Sequence, residues 1–226
     1  MSFPPSLPLQ LVIFDCDGVL VDSEGPSNRA VAEEVSKLGW VMDQAESMRQ
    51  FVGFRLEAMP EVISARTGRE VPPGWVEAMR ARLIAVLASE LELMPGVLEV
   101  LAAIESVGLP CRVASNSSMR EMEAKFARTG LTHLLGRAHS ADEVERGKPA
   151  PDVFLRAAAA EGVPPGACVV IEDSVPGTEA ALAAGMACLC LVPHRDGAAQ
   201  RAAGGTVIRS LAEVPALLGG VMRQAA

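Results

Sequence analysis

Short apolar runs alternate with longer amphipathic stretches along most of the chain. We predict strands at residues 9–14, 111–114, 168–171, 187–192 and 206–208. Helical patterns lie between most of these runs or after them, at residues 97–107, 119–129, 153–161, 177–184 and 211–218. Strands and helices that alternate at this spacing are typical of a parallel sheet with helices on both faces. The pattern therefore predicts an α/β fold with a Rossmann-like, doubly wound parallel sheet.

One segment interrupts this alternation. After the first strand the chain shows only helical patterns, at residues 28–38, 44–51, 56–66 and 74–91. We interpret the segment as an inserted helical-bundle cap, with residues 1–22 and 94–226 as the catalytic core and residues 23–93 as the cap. The two joints contain Gly25-Pro26 and Pro95-Gly96, where backbone direction changes easily, and we expect them to act as hinges.

Composition narrows the class of protein. Of the 226 residues, 50% are hydrophobic, and the net charge of −8 with no basic stripe argues against a nucleic-acid partner. Every apolar run is too short to span a bilayer, and no export signal is visible. The five cysteines include no Cys-x-x-Cys pair, which favours buried, reduced thiols. We therefore expect a cytoplasmic monomer or small homo-oligomer with no membrane partner.

Two carboxylates follow the first predicted strand. Asp15 and Asp17 are separated by one residue and are followed by Gly18. In an open α/β sheet the ligand site lies beyond the carboxyl ends of the strands, and residues i and i+2 of an extended segment point to the same side. Two anions in one small space repel each other unless a cation lies between them or one is protonated. A solvated turn would explain Asp17-Gly18 alone, but three further polar segments supply what the pair lacks.

The second polar segment begins with Ser115 and Asn116, at the end of an apolar run. A hydroxyl beside the free N–H groups of a following helix can bind a phosphate oxygen. The same segment can be a plain helix N-terminus, with Ser118 and Glu121 as a capping box. The two interpretations are compatible, so we expect Ser118 to cap the helix while Ser115 and Asn116 face the site.

The third segment contains Lys148, directly before a Pro-x-Pro turn. Lys148 is one of only three lysines in the chain, with Lys37 and Lys125. A lysine at this point can neutralise a phosphate and a carboxylate at close range. Taken alone, however, a single loop lysine is more often a solvated side chain.

The fourth segment consists of Glu172 and Asp173, which follow a fully apolar strand. Adjacent acids after a buried strand are costly without a cation, and carboxylate oxygens are ligands that Mg²⁺ prefers. Together with Asp15 and Asp17 they supply four carboxylates from two strand ends. The sequence thus predicts a magnesium site.

In this order the four segments resemble the motifs of the haloacid dehalogenase-like hydrolase superfamily, over essentially the whole chain. The matching residues are Asp15-x-Asp17-Gly18-Val19, Ser115-Asn116, Lys148-Pro149 and Glu172-Asp173-Ser174. The helical insert resembles the cap of the subgroup that contains phosphosugar phosphatases and β-phosphoglucomutase. This resemblance implies a magnesium-dependent phosphatase that hydrolyses a small phosphorylated metabolite through an aspartyl-phosphate intermediate.

The resemblance also implies roles for the acidic residues. Asp15 would be the nucleophile and Asp17 the general acid–base. Asp15, the backbone carbonyl of Asp17, and Asp173 would bind Mg²⁺, and Glu172 would act on the metal directly or through water.

The remaining core residues would serve the transferred phosphoryl group. Ser115 and Lys148 would bind it, with Asn116 beside them, and Lys148 would also hold Asp15 in place.

Residues of the cap distinguish a hydrolase from the alternative activities of this subgroup. β-Phosphoglucomutases carry a histidine at the position of Ser27 and a lysine in the cap loop that corresponds to residues 51–56, and both are absent here. These departures favour hydrolysis of a sugar or sugar-acid phosphate such as 6-phosphogluconate. A phosphosugar mutase is the alternative, and a non-catalytic binding protein of the same fold is a third reading. Gly53 and Arg55 are candidate substrate contacts, although a solvated arginine at a helix start explains Arg55 equally well.

Overall fold

The computed structural model describes residues 3–51, 56–194 and 196–224, without the side chains of residues 221–224. The chain divides into two compact units. The first, which we call the core unit, comprises Met1–Val21 and Leu93–Ala226. The second, the helical unit, comprises Asp22–Glu92.

The described part of the chain contains eight strands: β1 (Leu11–Phe14), β2 (Val21–Asp22), β3 (Glu92–Leu93), β4 (Cys111–Ser115), β5 (Ala138–Ser140), β6 (Cys168–Glu172), β7 (Ala187–Leu191) and β8 (Thr206–Ile208). Six of them form the sheet of the core unit in the order β5-β4-β1-β6-β7-β8, and all neighbours are parallel. Strands β2 and β3 pair separately, where the chain leaves the core unit and returns to it.

The described residues also form ten α-helices: α1 (Glu24–Lys37), α2 (Gln44–Phe51), α3 (Met59–Thr67), α4 (Trp75–Glu90), α5 (Val97–Ser106), α6 (Met119–Thr129), α7 (Asp152–Ala160), α8 (Val175–Ala183), α9 (Ala198–Ala202) and α10 (Val214–Gln224). The first four belong to the helical unit and the others to the core unit. The predicted α/β fold with a parallel sheet is confirmed.

Strands β1 and β6 lie at the centre of the sheet, and all of their residues are buried. Strands covered by helices on both faces are apolar rather than alternating. Strand β1 is apolar throughout, and β6 is apolar up to its last residue, Glu172. Strand β1 has β4 on one side and β6 on the other, so the chain reverses its direction of growth across the sheet at β1. Such a reversal opens a crevice at the carboxyl ends of the strands, where ligands of α/β proteins bind.

Two short elements of the core unit were absent from the prediction. Strand β5 has the sequence Ala-His-Ser, and helix α9 spans five residues of mostly alanine. Neither contains an apolar run or a helical repeat long enough to give a periodic signal. Both are stabilised by their neighbours, β5 as an edge strand beside β4 and α9 next to β8.

The expected joint at residues 23–26 is the beginning of α1. Gly25 donates its backbone N–H to Asp22 Oδ1 at 2.7 Å, and Pro26 lies in the first turn. Proline is tolerated there because the first N–H groups of a helix have no partner within the helix. Gly25 and Pro26 are therefore helical residues rather than an irregular hinge.

The helical unit has its own hydrophobic core, formed by Ala30, Val31, Val35, Phe51, Met59, Ile63, Trp75 and Met79. Trp40 packs against this cluster and meets the Phe51 ring edge to face at 5.5 Å. In the part of the chain that the structure describes, no helix has the length and apolarity needed to cross a membrane. All five cysteines are free and four are buried, which confirms the predicted buried thiols.

Two aliphatic residues of α5 allow a matched test of this core. Ile104 is 2% exposed and Leu98 is 58% exposed. We expect Ile104→Ala to lower the free energy of unfolding by about 2–5 kcal/mol, because it leaves a cavity, and Leu98→Ala to change it by about 0.5 kcal/mol or less. Urea denaturation of both variants measures the difference, and equal shifts would contradict the packing of α5.

Candidate active site

The site is built at the carboxyl end of β1. Asp15 follows the strand directly, and its backbone N–H donates to the Ile171 carbonyl at 2.9 Å, which continues the pairing with β6. Asp15 is thus fixed in the sheet register at the point where β1 and β6 end together. The carboxylate is buried, since only 9% of the side chain is exposed.

One ammonium group joins the acids of the two strand ends. Lys148 Nζ lies 2.5 Å from Asp15 Oδ1 and 2.9 Å from Glu172 Oε1, and its side chain is 4% exposed. The ring of Phe154 lies 4.6 Å from Nζ and covers the ammonium from the α7 side. A cation over an aromatic face is held by the ring quadrupole as well as by its anions.

Burial and the neighbouring charges together set the ionisation of this pair. Burial raises the pKa of Asp15 to about 7 against the lowering effect of the Lys148 ammonium, and the Glu172 charge raises it further. Burial also acts to lower the pKa of Lys148, but Asp15 and Glu172 outweigh it, so that pKa is raised above its usual value. Lys148 is consequently a permanent cation, and the negative charge around it is incompletely balanced.

The main chain of Lys148 is held by Asn116. The Lys148 N–H donates to Asn116 Oδ1 at 2.8 Å, and Asn116 Nδ2 donates to the Lys148 carbonyl at 3.2 Å. A Cβ atom on Gly147 would lie 2.7 Å from Asn116 Oδ1, so this clamp needs glycine at that position. The amide of Asn116, expected from the sequence beside the phosphate, is engaged in positioning the Lys148 loop.

Ser115 ends β4 and is only 2% exposed. Its hydroxyl accepts a hydrogen bond from the Ser117 N–H at 3.1 Å. Ser118 caps α6 in a complete capping box with Glu121, which confirms that part of the prediction.

Glu172 holds the loop that follows β6. Its Oε2 accepts hydrogen bonds from the Asp173 N–H at 2.8 Å, the Ser174 N–H at 2.7 Å and the Ser174 hydroxyl at 2.9 Å. Gln200 of α9 donates to the Asp173 carbonyl at 2.8 Å. The backbone of Asp173 is therefore fixed from both sides before any ligand binds.

Three carboxylates of this cluster can reach one cation. Asp15, Glu172 and Asp173 each offer an oxygen within 4.8 Å of the others, and Lys148 is the ammonium among them. The three carboxylates carry more negative charge than the Lys148 ammonium neutralises, and a divalent cation would balance the remainder. An all-oxygen donor set suits Mg²⁺. The residues present therefore fit the metal that the sequence predicts.

Gly18 provides the space for this cluster. Its φ is +74°, and a Cβ atom there would lie 2.3 Å from Asp173 Oδ2. Any side chain at this position would push the Asp173 carboxylate out of the group.

Asp17 lies beside the cluster in a different environment. Lys125 Nζ lies 2.6 Å from Asp17 Oδ2, and the Ser117 hydroxyl donates to the same oxygen at 2.9 Å. The sequence patterns did not mark Lys125 as a site residue. The one sequence feature that could have identified Lys125 is its position seven residues after the predicted N-cap Ser118, which places both residues on the same face of the helix.

The other predicted site residues, Gly53 and Arg55, lie outside the described residues. Their expected contact with substrate stays a prediction.

The parallel sheet and the acidic cluster at its carboxyl edge define the class of α/β enzymes that carry out chemistry at strand ends. The sequence model of the haloacid dehalogenase-like hydrolases matches residues 9–185. The chain belongs to this family, and the predicted type of enzyme is confirmed.

Three relatives illustrate the similarity. The chain is 30% identical to a 6-phosphogluconate phosphatase of Escherichia coli K12, over 82% of the chain and 85% of the relative. It is 34% identical to hexitol phosphatase B of the same organism, over 80% and 83%. A crystal structure of a haloacid dehalogenase family hydrolase from Deinococcus radiodurans, with bound phosphate and sodium, superimposes with a TM-score of 0.87 at 33% identity, over 96% of this chain and 97% of that one.

Gly18 and Gly162 provide a matched test of the cluster geometry. Both have positive φ, but a Cβ on Gly162 would meet nothing within 4 Å. Alanine costs about 1–2 kcal/mol at either position because of the left-handed backbone. We expect Gly18→Ala alone to weaken Mg²⁺ binding, by about 10- to 100-fold, because it displaces Asp173. Isothermal titration with Mg²⁺ measures this, and equal affinities in the two variants would contradict the assigned cluster.

Proposed function

We propose that this protein is a magnesium-dependent phosphatase that hydrolyses a small phosphorylated metabolite, a sugar or sugar-acid phosphate, through an aspartyl-phosphate on Asp15. The buried bridge that Lys148 forms between Asp15 and Glu172 carries the proposal. An ammonium group in this position is a costly way to stabilise a fold, because both charges lose their hydration. It is a direct way to let a carboxylate approach a phosphate dianion.

Asp15 is the nucleophile in this proposal. One of its carboxylate oxygens forms a bond to phosphorus, and the bond between phosphorus and the alkoxide of the substrate breaks. Lys148 offsets the repulsion between the two anions and fixes the orientation of the Asp15 carboxylate. Ser115 and Lys148 bind the phosphoryl oxygens, and Asn116 acts through the Lys148 main chain.

Asp17 is the general acid–base. It gives a proton to the departing alkoxide and then takes one from the water that attacks the phosphorylated Asp15. This second step breaks the bond between Asp15 and phosphorus, releases inorganic phosphate, and restores the Asp15 carboxylate and the protonated Asp17. A positioned group of this kind contributes about 10²–10⁴ in rate.

Asp15, Asp173, Glu172 and the backbone carbonyl of Asp17 are the residues that would hold Mg²⁺. When bound, the metal neutralises the charge of the transferring phosphoryl group. Glu172 acts mainly as the anchor of the loop, since one of its oxygens meets Lys148 and the other accepts three hydrogen bonds.

The substrate class rests on the relatives. One is named for 6-phosphogluconate and another for hexitol phosphates, and both names describe a phosphate ester on a six-carbon polyol chain. The phosphate in the Deinococcus radiodurans structure is consistent with phosphate binding in this fold. Gly53 and Arg55 are the proposed substrate contacts of the helical unit.

We expect Asp15→Asn to abolish phosphate release while the protein remains folded, because an amide is a poor nucleophile. The assay uses 6-phosphogluconate, a hexitol phosphate and other sugar phosphates, with Mg²⁺ and with a chelator. Chelation should stop the wild-type enzyme as well, because the acidic cluster then repels the substrate. Asp142→Asn, the same change at an exposed position, is the matched control and should leave the rate unchanged. Turnover by Asp15→Asn near the wild-type rate would refute the role of Asp15.

The mutase alternative uses the same phosphoryl-transfer residues but returns the phosphoryl group to the bound sugar. We expect wild-type enzyme given a hexose 1-phosphate and a catalytic amount of the hexose bisphosphate to release inorganic phosphate without forming the 6-phosphate. Phosphorus NMR follows both products in one sample. Accumulation of the 6-phosphate with little free phosphate would favour the mutase.

A further inference from the structure

Asp17 takes part in a closed triangle of polar contacts. Lys125 Nζ lies 2.6 Å from Asp17 Oδ2 and 2.8 Å from the Ser117 hydroxyl, which donates to the same carboxylate oxygen at 2.9 Å. The three residues come from the turn after β1, the loop after β4 and the second half of α6. Helix α6 and the loop that leads into it thus hold the position of one carboxylate.

Both contacts go to the same oxygen. Across residues 3–51, 56–194 and 196–224, the structure gives Oδ1 of Asp17 no hydrogen bond from the protein. The Asp17 side chain is 34% exposed, whereas Lys125 is 17% exposed. One carboxylate oxygen is therefore anchored, and the other faces no donor among the described residues.

The anchor opposes a specific repulsion. Asp17 lies close enough to Asp15 for its charge to raise the Asp15 pKa. Two neighbouring anions repel each other, and a free aspartate side chain would rotate toward water. The Lys125 ammonium supplies an attraction on the side of α6.

Lys125 is itself firmly placed. The first turn of α6 is fixed by the capping box of Ser118 and Glu121. Met122 and Phe126, on either side of Lys125, are fully buried. The ammonium is therefore held by a packed helix rather than by a mobile loop.

We propose that Lys125, with Ser117, is a positioning residue that orients the Asp17 carboxylate for proton transfer. This inference rests on the proposed function, in which Asp17 is the acid–base group. Lys148 acts on the nucleophile and the phosphoryl group, whereas Lys125 acts through Asp17 on the leaving group and the attacking water.

The two half-reactions depend on Asp17 to different degrees. With 4-nitrophenyl phosphate, Asp15 forms its bond to phosphorus as 4-nitrophenolate departs as a stable anion, so this step needs no proton from Asp17. In the second step, water attacks phosphorus, its proton goes to Asp17, and the bond between phosphorus and Asp15 breaks. With an alkyl phosphate both steps need Asp17, because an alkoxide leaves only when protonated.

The test is Lys125→Met, assayed with Mg²⁺ on 4-nitrophenyl phosphate and on a hexitol phosphate. We expect kcat to fall by about 10- to 100-fold on both substrates, with KM changed by about twofold or less, because the lost contact acts on the chemical steps. With 4-nitrophenyl phosphate only the second step slows, so the fraction of enzyme phosphorylated on Asp15 at steady state should exceed that of wild type. Mass spectrometry of acid-quenched enzyme measures that fraction.

Three further variants separate positioning from folding. Lys125→Arg retains the cation and should restore most of the rate, and Ser117→Ala should change both readouts in the same direction by a smaller factor. Lys37→Met makes the same substitution at an exposed lysine and should match wild type. Thermal melts verify that each variant is folded.

Each outcome decides the inference. A Lys125→Met enzyme equal to Lys37→Met overturns it while leaving the phosphatase proposal intact. A fall in kcat with no rise in phosphorylated Asp15 also overturns it, because a merely structural role slows both steps. A wild-type enzyme inactive on both substrates overturns the proposed function and this inference together.

Discussion

The arrangement of the core unit depends on placing several negative charges at the buried ends of two adjacent strands. Asp15 and Glu172 are brought together by the pairing of β1 with β6, and one ammonium group, that of Lys148, lies between them. Removing one partner of a buried ion pair costs about 3–5 kcal/mol, whereas replacing both by apolar residues is often neutral. The pair is therefore poorly explained as a device for stability, and its chemistry is the better reason for its presence.

The free-energy cost of burying these charges also explains why the loops around the cluster form so many hydrogen bonds. Glu172 accepts three hydrogen bonds from its own loop, Asn116 clamps the Lys148 main chain, and Gln200 holds the Asp173 carbonyl. Each contact fixes a charged group before a ligand arrives. A site whose dipoles and charges are already oriented loses little free energy to reorganisation during the reaction. The precision therefore comes from polar contacts between loops, and the apolar sheet beneath supplies the rigid base.

The sequence predicts the parts of this arrangement that follow from chain periodicity. The apolar runs of β1 and β6 and the acids directly after them could be placed at one edge of the sheet, because parallel strands end together. Strand β5 could not, because its three residues carry no apolar repeat and only the neighbouring β4 makes them a strand. The start of α1 was missed because Gly25 and Pro26 are typical of a loop, and only the contact with Asp22 shows them to be a helix start.

The same distinction between local pattern and tertiary packing applies to the site residues. Asp15 and Lys148 could be predicted as site residues because each lies in a recognisable local motif. The role of Asn116 could not, because it depends on how two loops pack against each other. Lys125 is separated from Asp17 by 108 positions in the chain, and their contact arises only when α6 packs beside the turn after β1. Local patterns thus identify the residues that could carry charge, and tertiary packing decides which of them meet.

The use of lysine in this chain is consistent with separate roles for the two ammonium groups of the site. Of twenty basic residues, only three are lysine. Arginine serves the ion pairs on the surface of the helical unit, such as those of Arg29 with Glu90 and Arg80 with Glu57. Two of the three lysines lie instead against Asp15 and Asp17. Arginine presents a broad, planar fork, whereas lysine is a compact point charge on a flexible stem, which can contact one carboxylate oxygen and leave the second oxygen free for chemistry.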